Sequence, residues 1–307
     1  MGISFDGRVA IVTGAGTGLG RSHAMALAAR GARVVINDMG TGADGTGASG
    51  DAARAVVDEI TAAGGTAMAH GADIADEGQV ADMVAQTMAR WGRIDILVNN
   101  AGILRDKTFA KVTLEDFRKV IDVHLMGSAI CAHACWPVMR AQGYGRIVFT
   151  SSGSGLYGNF GQANYGAAKA AMVGLMNVLH LEGMRDDIRV NTLAPTAATR
   201  MTQDLLPPEA LPLLAPETIT PGLLYLVSDD APSRVILSAG AGTFAVTRIT
   251  ETQGVTLQGA DNTPENVAAQ FAQITDPSGA QDLPDAFSQT RKYAVNAAQL
   301  RGLDLPW

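Results

Sequence analysis

Tyr165 and Lys169 stand four residues apart in YGNFGQANYGAAKA, residues 157–170. On a helix that spacing stacks both side chains on one face, a turn apart. An ammonium near a phenol favours the phenolate and lowers its pKa from about 10. A phenol tuned in this way can exchange a proton with an alcohol or carbonyl oxygen near neutral pH. Ser152 closes the apolar run GRIVFTSS thirteen residues before Tyr165 and offers a hydroxyl to hold the same oxygen. The Tyr-x-x-x-Lys spacing alone arises by chance in roughly one such chain in a dozen, so its meaning depends on context.

That context begins at the amino end. RVAIVTG (8–14) reads as a buried strand, and TGAGTGLG places Gly14, Gly18, Leu19 and Gly20 between it and a helix. Glycines there permit a tight turn and let backbone N–H groups and a helix N-terminus approach a pyrophosphate. The next strand, ARVVIND, ends at Asp38, eighteen residues past Gly20. A carboxylate at that point accepts from both hydroxyls of an adenosine ribose and repels a 2′-phosphate. No basic residue lies in 13–20. The expected cofactor is therefore NAD rather than NADP, with capping of the following Gly-rich loop as the plainer role for Asp38. In GADIAD, Asp73 and its neighbour Ile74 are placed to meet the adenine, Asp73 being otherwise a turn residue.

The elements that position these groups alternate. Strands are expected at 8–14, 32–38, 66–70, 95–102, 145–152, 188–195 and 233–240. Helices are expected from the glycine turn to Arg30, at 52–63 and 77–91, as one long element through most of 113–142, at 163–184 and near 221–229. Apolar, β-branched strands alternating with helices are the sequence form of a doubly wound parallel α/β sheet. Residues 39–51 read as a flexible Gly-rich loop. After Pro195 the rhythm breaks into a proline- and leucine-rich flap, and 264–274 reads as a single helix in a tail with no strand rhythm. The expected organisation is one catalytic domain over 1–240 with a C-terminal extension over 241–307.

TGAGTGLG, Asp38, NNAG (99–102), Ser152, and Tyr165 with Lys169 occur in an order that resembles the short-chain dehydrogenase/reductase family over about residues 5–240. The resemblance implies a Rossmann-like fold and an NAD-dependent oxidoreductase acting on a secondary alcohol or ketone. It also implies that Asn100, Ala101 and Gly102 line the adenosine ribose, that Lys169 and Tyr165 meet the nicotinamide ribose, and that Pro195 begins the stretch facing the nicotinamide. His124, in VIDVHLMGS, stands where most members carry Asn, a residue that kinks the helix and anchors a water beside the Lys. His124 can serve that proton path or be a satisfied interior histidine. With NNAGILRDKTFAK and NTLAP, it makes the chain similar to the (3R)-hydroxyacyl-CoA dehydrogenase unit of peroxisomal D-specific multifunctional enzymes and to bacterial single-domain relatives. The implied substrate is an apolar acyl-CoA, with a 17β-hydroxysteroid or sterol side-chain thioester as the alternative. Reduction of a 3-oxoacyl thioester and a non-enzymatic nucleotide-sensing scaffold are the remaining readings.

Composition excludes several partners. A net charge of −7 offers no basic field for nucleic acid or anionic membrane. Apolar runs are too short to span a bilayer, no signal-peptide layout is present, and LPW is not a peroxisomal tripeptide, so the expectation is a soluble cytoplasmic protein. Cys131 and Cys135 lack a third ligand and read as buried small residues rather than a metal site. His23, His70, His133 and His180 share no spacing and read as structural. The leucine-rich stretch 201–214 suits an apolar chain or a sterol. Arg105, Lys107 and Arg200 either meet CoA phosphates or are solvated charges. The helices 113–142 and 163–184, with Ala129, Ala132, Ala171 and Gly174, would pack across a two-fold in this family, giving a homodimer or homotetramer.

Overall fold

Val9–Thr13 is buried at all five positions, the burial of a strand covered on both faces, and forms β1 at the centre of the sheet. It pairs in parallel with β2 (Arg33–Asn37) and β4 (Ile96–Asn99), while β2 pairs with β3 (Thr66–His70). On the other side β5 (Gly145–Thr150), β6 (Ile188–Thr196) and β7 (Ile236–Gly240) add in parallel succession. The order across the sheet is β3-β2-β1-β4-β5-β6-β7-β8. β8 (Thr243–Thr247) follows β7 after Ala241 and Gly242, both at positive φ, and so short a connection permits only an antiparallel hairpin. A computed structural model of the chain describes residues 2–47, 49–198 and 207–306. It divides into two compact units, one up to Val246 and one from Thr247 onward.

Alternate strand residues feed two cores. Ala10, Val12, Val34 and Ile36 pack with α1 (Gly18–Ala28), α2 (Asp51–Ala62) and α8 (Thr220–Leu226). Ile11, Val35, Leu97 and Phe149 face the opposite way, against α3 (Glu77–Trp91), α5 (Gly127–Gln142) and α7 (Ala163–Gly183). Helix limits follow local chemistry: Asp76 accepts from Gln79 N at 3.0 Å to begin α3, and Gly92, at φ 71°, ends it. The doubly wound sheet expected from the alternation is the fold observed.

Three local expectations are corrected. The helix expected over 113–142 is α4 (Leu114–Ile121), a π turn over Asp122–Met126, and then α5. One extra residue in that turn rotates the helix and turns His124 inward. The sheet does not close at β7, because β8 adds to its edge, and the first four of its five residues are exposed. Residues 264–274 form two short helices, α9 (Pro264–Ala269) and α10 (Phe271–Ile274). A further helix, α11 (Ala286–Leu300), begins where Asp285 accepts from Ser288 N at 2.7 Å. Of the leucine-rich stretch, 201–206 lie outside the described residues.

Candidate active site

Gly14, Asp38, Asn100, Ser152 and Pro195 all lie at or just beyond the carboxyl ends of parallel strands, where the sheet order reverses between β1 and β4. In open α/β sheets that crevice is where ligands bind. Gly14 and Gly18 have φ of 63° and 55°. A Cβ on Gly14 would fall 2.7 Å from Ala101 Cα, and one on Gly20 2.1 Å from Gly14 O, so turn and helix approach as only glycine permits. Asn100 Nδ2 donates to Thr13 O and Gly14 O, both at 3.0 Å, and Thr13 Oγ1 accepts from Asn100 N and Ala101 N at 3.1 Å. The NNAG segment thus ties β4 to the glycine turn. Thr17 makes no side-chain cap, so the amides at the start of α1 remain available to an anion. Leu19 packs partly buried against the core behind them.

Asp38 spans the turn and the loop after β2. Its Oδ2 accepts from Gly16 N and its Oδ1 from Gly40 N, each at 2.7 Å. Each oxygen retains a lone pair for a ribose hydroxyl. Asp73 Oδ1 accepts from Ala75 N at 2.9 Å, a turn contact, and Ile74 is buried in the core against Gly127. The glycine cradle, the uncapped α1 and the Asp38 carboxylate together fit a dinucleotide.

The proton-transfer groups converge at the ends of β5, α6 (Gly153–Tyr157) and α7. Gly155 lets α6 rest on α7, since a Cβ there would meet Lys169 C at 2.6 Å. Ser152 caps α6, accepting from Ser154 N at 3.2 Å, and its side chain acts on the Tyr165 phenol to lower its pKa. Lys169 is buried, its Nζ donating to Thr150 O at 2.7 Å and lying 5.6 Å from the Tyr165 ring centroid. Burial lowers its pKa to about 7. Burial likewise raises the Tyr165 phenol above its ordinary 10, opposed by the Ser152 hydrogen bond and reinforced by the charge of Asp106. The net shift of the phenol is thus upward, with burial its largest cause, where the sequence pattern predicts a net lowering. With both groups out of water, desolvation is the largest influence on each.

His124 is also buried, at the π turn. Its Nε2 sits 2.8 Å from Ile103 O and 3.0 Å from Ile103 N, so either tautomer finds a backbone partner there. Its Nδ1 is buried without a partner. Burial, and then the charge of Lys169, hold its pKa well below 6.5, so the ring is neutral.

The family profile described as short chain dehydrogenase matches residues 8–210. The chain belongs to the short-chain dehydrogenase/reductase family. It is 46% identical over 276 residues to a Mycobacterium tuberculosis short-chain type dehydrogenase/reductase, covering 89% of this chain and 96% of that one. The solved full-length peroxisomal multifunctional enzyme type 2 of Drosophila melanogaster superposes with a TM-score of 0.81 at 36% identity, over 97% of this chain and 50% of that one. A 7α-hydroxysteroid dehydrogenase complexed with NADH and 7-oxo glycochenodeoxycholic acid superposes with a TM-score of 0.70 at 31% identity, over 78% of this chain and 95% of that one. The chain spans between 31% and 61% of the length of the curated peroxisomal multifunctional and hydratase-dehydrogenase-epimerase enzymes it matches.

As a member of this family the chain is an oxidoreductase acting on CH–OH with a nicotinamide cofactor. Pro195 lies on β6 beyond the last residue of β5, where its missing N–H breaks no bond of the β5–β6 ladder. Gly102 packs on the His124 ring, a Cβ there falling 2.2 Å from Cε1. Three residues of the site were not anticipated from the sequence: Asp106, Gln162 and Asn164. Two of them belong to the QANYGAAK stretch itself, and Asn164 Nδ2 donates to Arg105 O at 3.0 Å.

At the rim, Arg105 is committed elsewhere, Nη1 to Asp116 at 2.8 Å and Nε to Asp44 O at 3.1 Å. Arg200 lies outside the described residues. A bridge between Lys107 and Gln162 brings the segment bearing Phe109 beside that bearing Phe160, and both rings and Tyr157 are exposed. Both cysteines are buried thiols, Cys131 pushed up to about 12 by burial and Cys135 higher still. His23 bonds Thr220, His70 bonds Asp82 and His180 bonds Ser233. Among the described residues no helix is long and apolar enough to cross a membrane.

Proposed function

We propose that the chain oxidises a (3R)-3-hydroxyacyl-CoA to the 3-oxoacyl-CoA with NAD as the hydride acceptor. The observation that carries the reading is the Tyr165 ring, its centroid 5.6 Å from the Nζ of a buried Lys169, set beside a glycine turn fit for a dinucleotide. The nicotinamide, when bound, supplies the hydride chemistry. Gly14, Gly18, Leu19 and Gly20 would hold its pyrophosphate, with Asn100, Ala101 and Gly102 along the ribose and Asp73 and Ile74 near the adenine. Asp38 would accept from the adenosine ribose and turn away a 2′-phosphate. Tyr165 takes the alcohol proton, Ser152 holds the same oxygen, and Lys169 lends its charge to the phenolate. We assign His124 to the proton path: its unpartnered Nδ1 can carry a water beside Lys169.

The thioester reading draws on the likeness to multifunctional peroxisomal enzymes and on the exposed aromatic rim of Tyr157, Phe160 and Phe109, which suits an apolar chain. A steroid alcohol is the second reading, favoured by the likeness to the 7α-hydroxysteroid dehydrogenase. A homodimer or homotetramer through α5 and α7 is supported by Val178 and Leu181, apolar residues exposed along α7, and by exposed Met184 just past its end. The test is NADH formation with (3R)- and (3S)-3-hydroxyacyl-CoA and a 17β-hydroxysteroid, each offered with NAD and NADP. Turnover of the 3R thioester with NAD is expected; turnover of the steroid alone moves the assignment to the second reading.

A further inference from the structure

The glycine-rich loop after β2 is built rather than slack. It leaves at Asp38, whose Oδ1 accepts from Gly40 N at 2.7 Å, and it is pinched at its base, where Ser49 N donates to Met39 O at 2.9 Å. Its tip is a closed turn. Gly42 N donates to Thr46 O at 2.7 Å, and Asp44 Oδ1 accepts from Thr46 N at 3.1 Å and from Thr46 Oγ1 at 2.8 Å. Close ends and internal bonds of this kind mark a compact Ω-loop.

The tip docks on the segment that follows β4. Leu104 N donates to Ala43 O at 2.9 Å and Arg105 Nε to Asp44 O at 3.1 Å. Gly45 lies so near Ile103 that a Cβ on it would fall 3.0 Å from Ile103 Cγ2. In the sheet, β1 stands between β2 and β4. A loop that leaves β2 and touches the segment after β4 therefore crosses the carboxyl end of β1, where the glycine turn begins. Its return leg comes back to that turn, since a Cβ on Gly16 would fall 2.8 Å from Ala52 Cβ. The loop thus bridges the crevice from Asp38 to Ile103, with Asn100, Ala101 and Gly102 next to its far anchor.

That anchor is fixed independently of the loop. Arg105 Nη1 donates to Asp116 Oδ1 at 2.8 Å at the start of α4, which aims the guanidinium, and Arg105 O accepts from buried Asn164 Nδ2 at 3.0 Å at the start of α7. We propose that Arg105 is a positioning residue for the cofactor: it latches residues 40–47 as a strap across the adenosine half of the dinucleotide site, and release of that latch sets how fast the dinucleotide leaves. This rests on the reading of the glycine turn and Asp38 as the dinucleotide site. The strap's acceptors are the backbone carbonyls of Ala43 and Asp44, so the latch opens and closes without any strap side chain taking part. Opening of such loops commonly limits release.

The test is stopped-flow release of NADH from wild type, Arg105→Met and Gly45→Ala, with amide hydrogen exchange of residues 40–47 and Leu104 in each protein, with and without NADH. Arg105→Met keeps the carbonyl for Asn164 and loses both side-chain bonds. Gly45 has φ of 83°, so alanine there is strained and crowds Ile103, while Asp116 and Asn164 are untouched. Both variants are expected to release NADH about 10-fold faster, the size of effect that losing one or two hydrogen bonds produces. Their Leu104 and strap amides should exchange faster even without NADH, and in wild type NADH should slow that exchange. Faster release in Arg105→Met alone, slower release in either variant, or strap exchange indifferent to NADH overturns the proposal. A wild type that binds neither NADH nor NADPH overturns the dinucleotide reading itself; NADH that binds all three proteins and leaves them at one rate overturns the strap alone.

Discussion

His124 and Tyr165 meet edge to face, their ring centroids 5.2 Å apart and their planes at 89°. The contact places a neutral imidazole between the phenol and the Ile103 backbone, with Nδ1 the atom left over. His124→Phe keeps an aromatic edge and loses both nitrogens. If Nδ1 carries the relay, kcat falls about 100-fold with little change in cofactor affinity, and His124→Asn recovers much of it. Steady-state kinetics on the two variants checks this; wild-type kcat in His124→Phe would make His124 a packing residue.

Gly102 sets how close that ring can come. A methyl there would sit 2.2 Å from His124 Cε1, and His124 is only 2% exposed, so the ring has nowhere to retreat. Gly102→Ala should cost about 1–3 kcal/mol of stability and lower kcat along with it. Thermal melting reads the first effect. An unchanged Tm would mean that the π turn yields readily.

Asp38 carries two separable roles. Removing its carboxylate frees Gly16 N and Gly40 N whatever else it does. If it also selects the cofactor, Asp38→Ala weakens NAD about 10-fold while NADP weakens less or improves. Equal loss for both cofactors in a binding titration would reduce Asp38 to a loop cap.

Acid stability follows from buried histidine. His23 is buried, bonds Thr220 Oγ1 at 2.8 Å, and is pushed down to about 3 from 6.5 by desolvation. Below pH 6.5 the unfolded chain takes up a proton that the folded chain refuses, so stability is lost as pH falls from 6.5 toward 3. His124, lowered in the same direction, adds to the loss. Denaturant midpoints across this window should fall with pH in wild type and fall less steeply in His23→Gln. Parallel slopes would show that His23 does not drive the effect.

The central sheet was legible because its strands are near-continuous apolar runs set between helices, and the glycine turn announced itself by lying between strand and helix. The π turn was not, because residues 113–142 keep a helical pattern through the inserted residue. β8 was hidden because TFAVT is largely exposed and gives no buried-strand pattern. At the site, Tyr165, Lys169 and Ser152 could be read from spacing. The direction of their titration could not, since it depends on burial, which spacing does not report. Asp106 was missed for a related reason: its contact with Gln162 comes from a loop far from the motif in sequence.

The most direct test of Tyr165 as the proton-transfer group is single-turnover NADH formation from a (3R)-3-hydroxyacyl-CoA in wild type and Tyr165→Phe. The expected rate is lower by about 1000-fold in the variant, with NAD binding preserved because the glycine turn and Asp38 are untouched. A variant that turns over within a few-fold of wild type would contradict it.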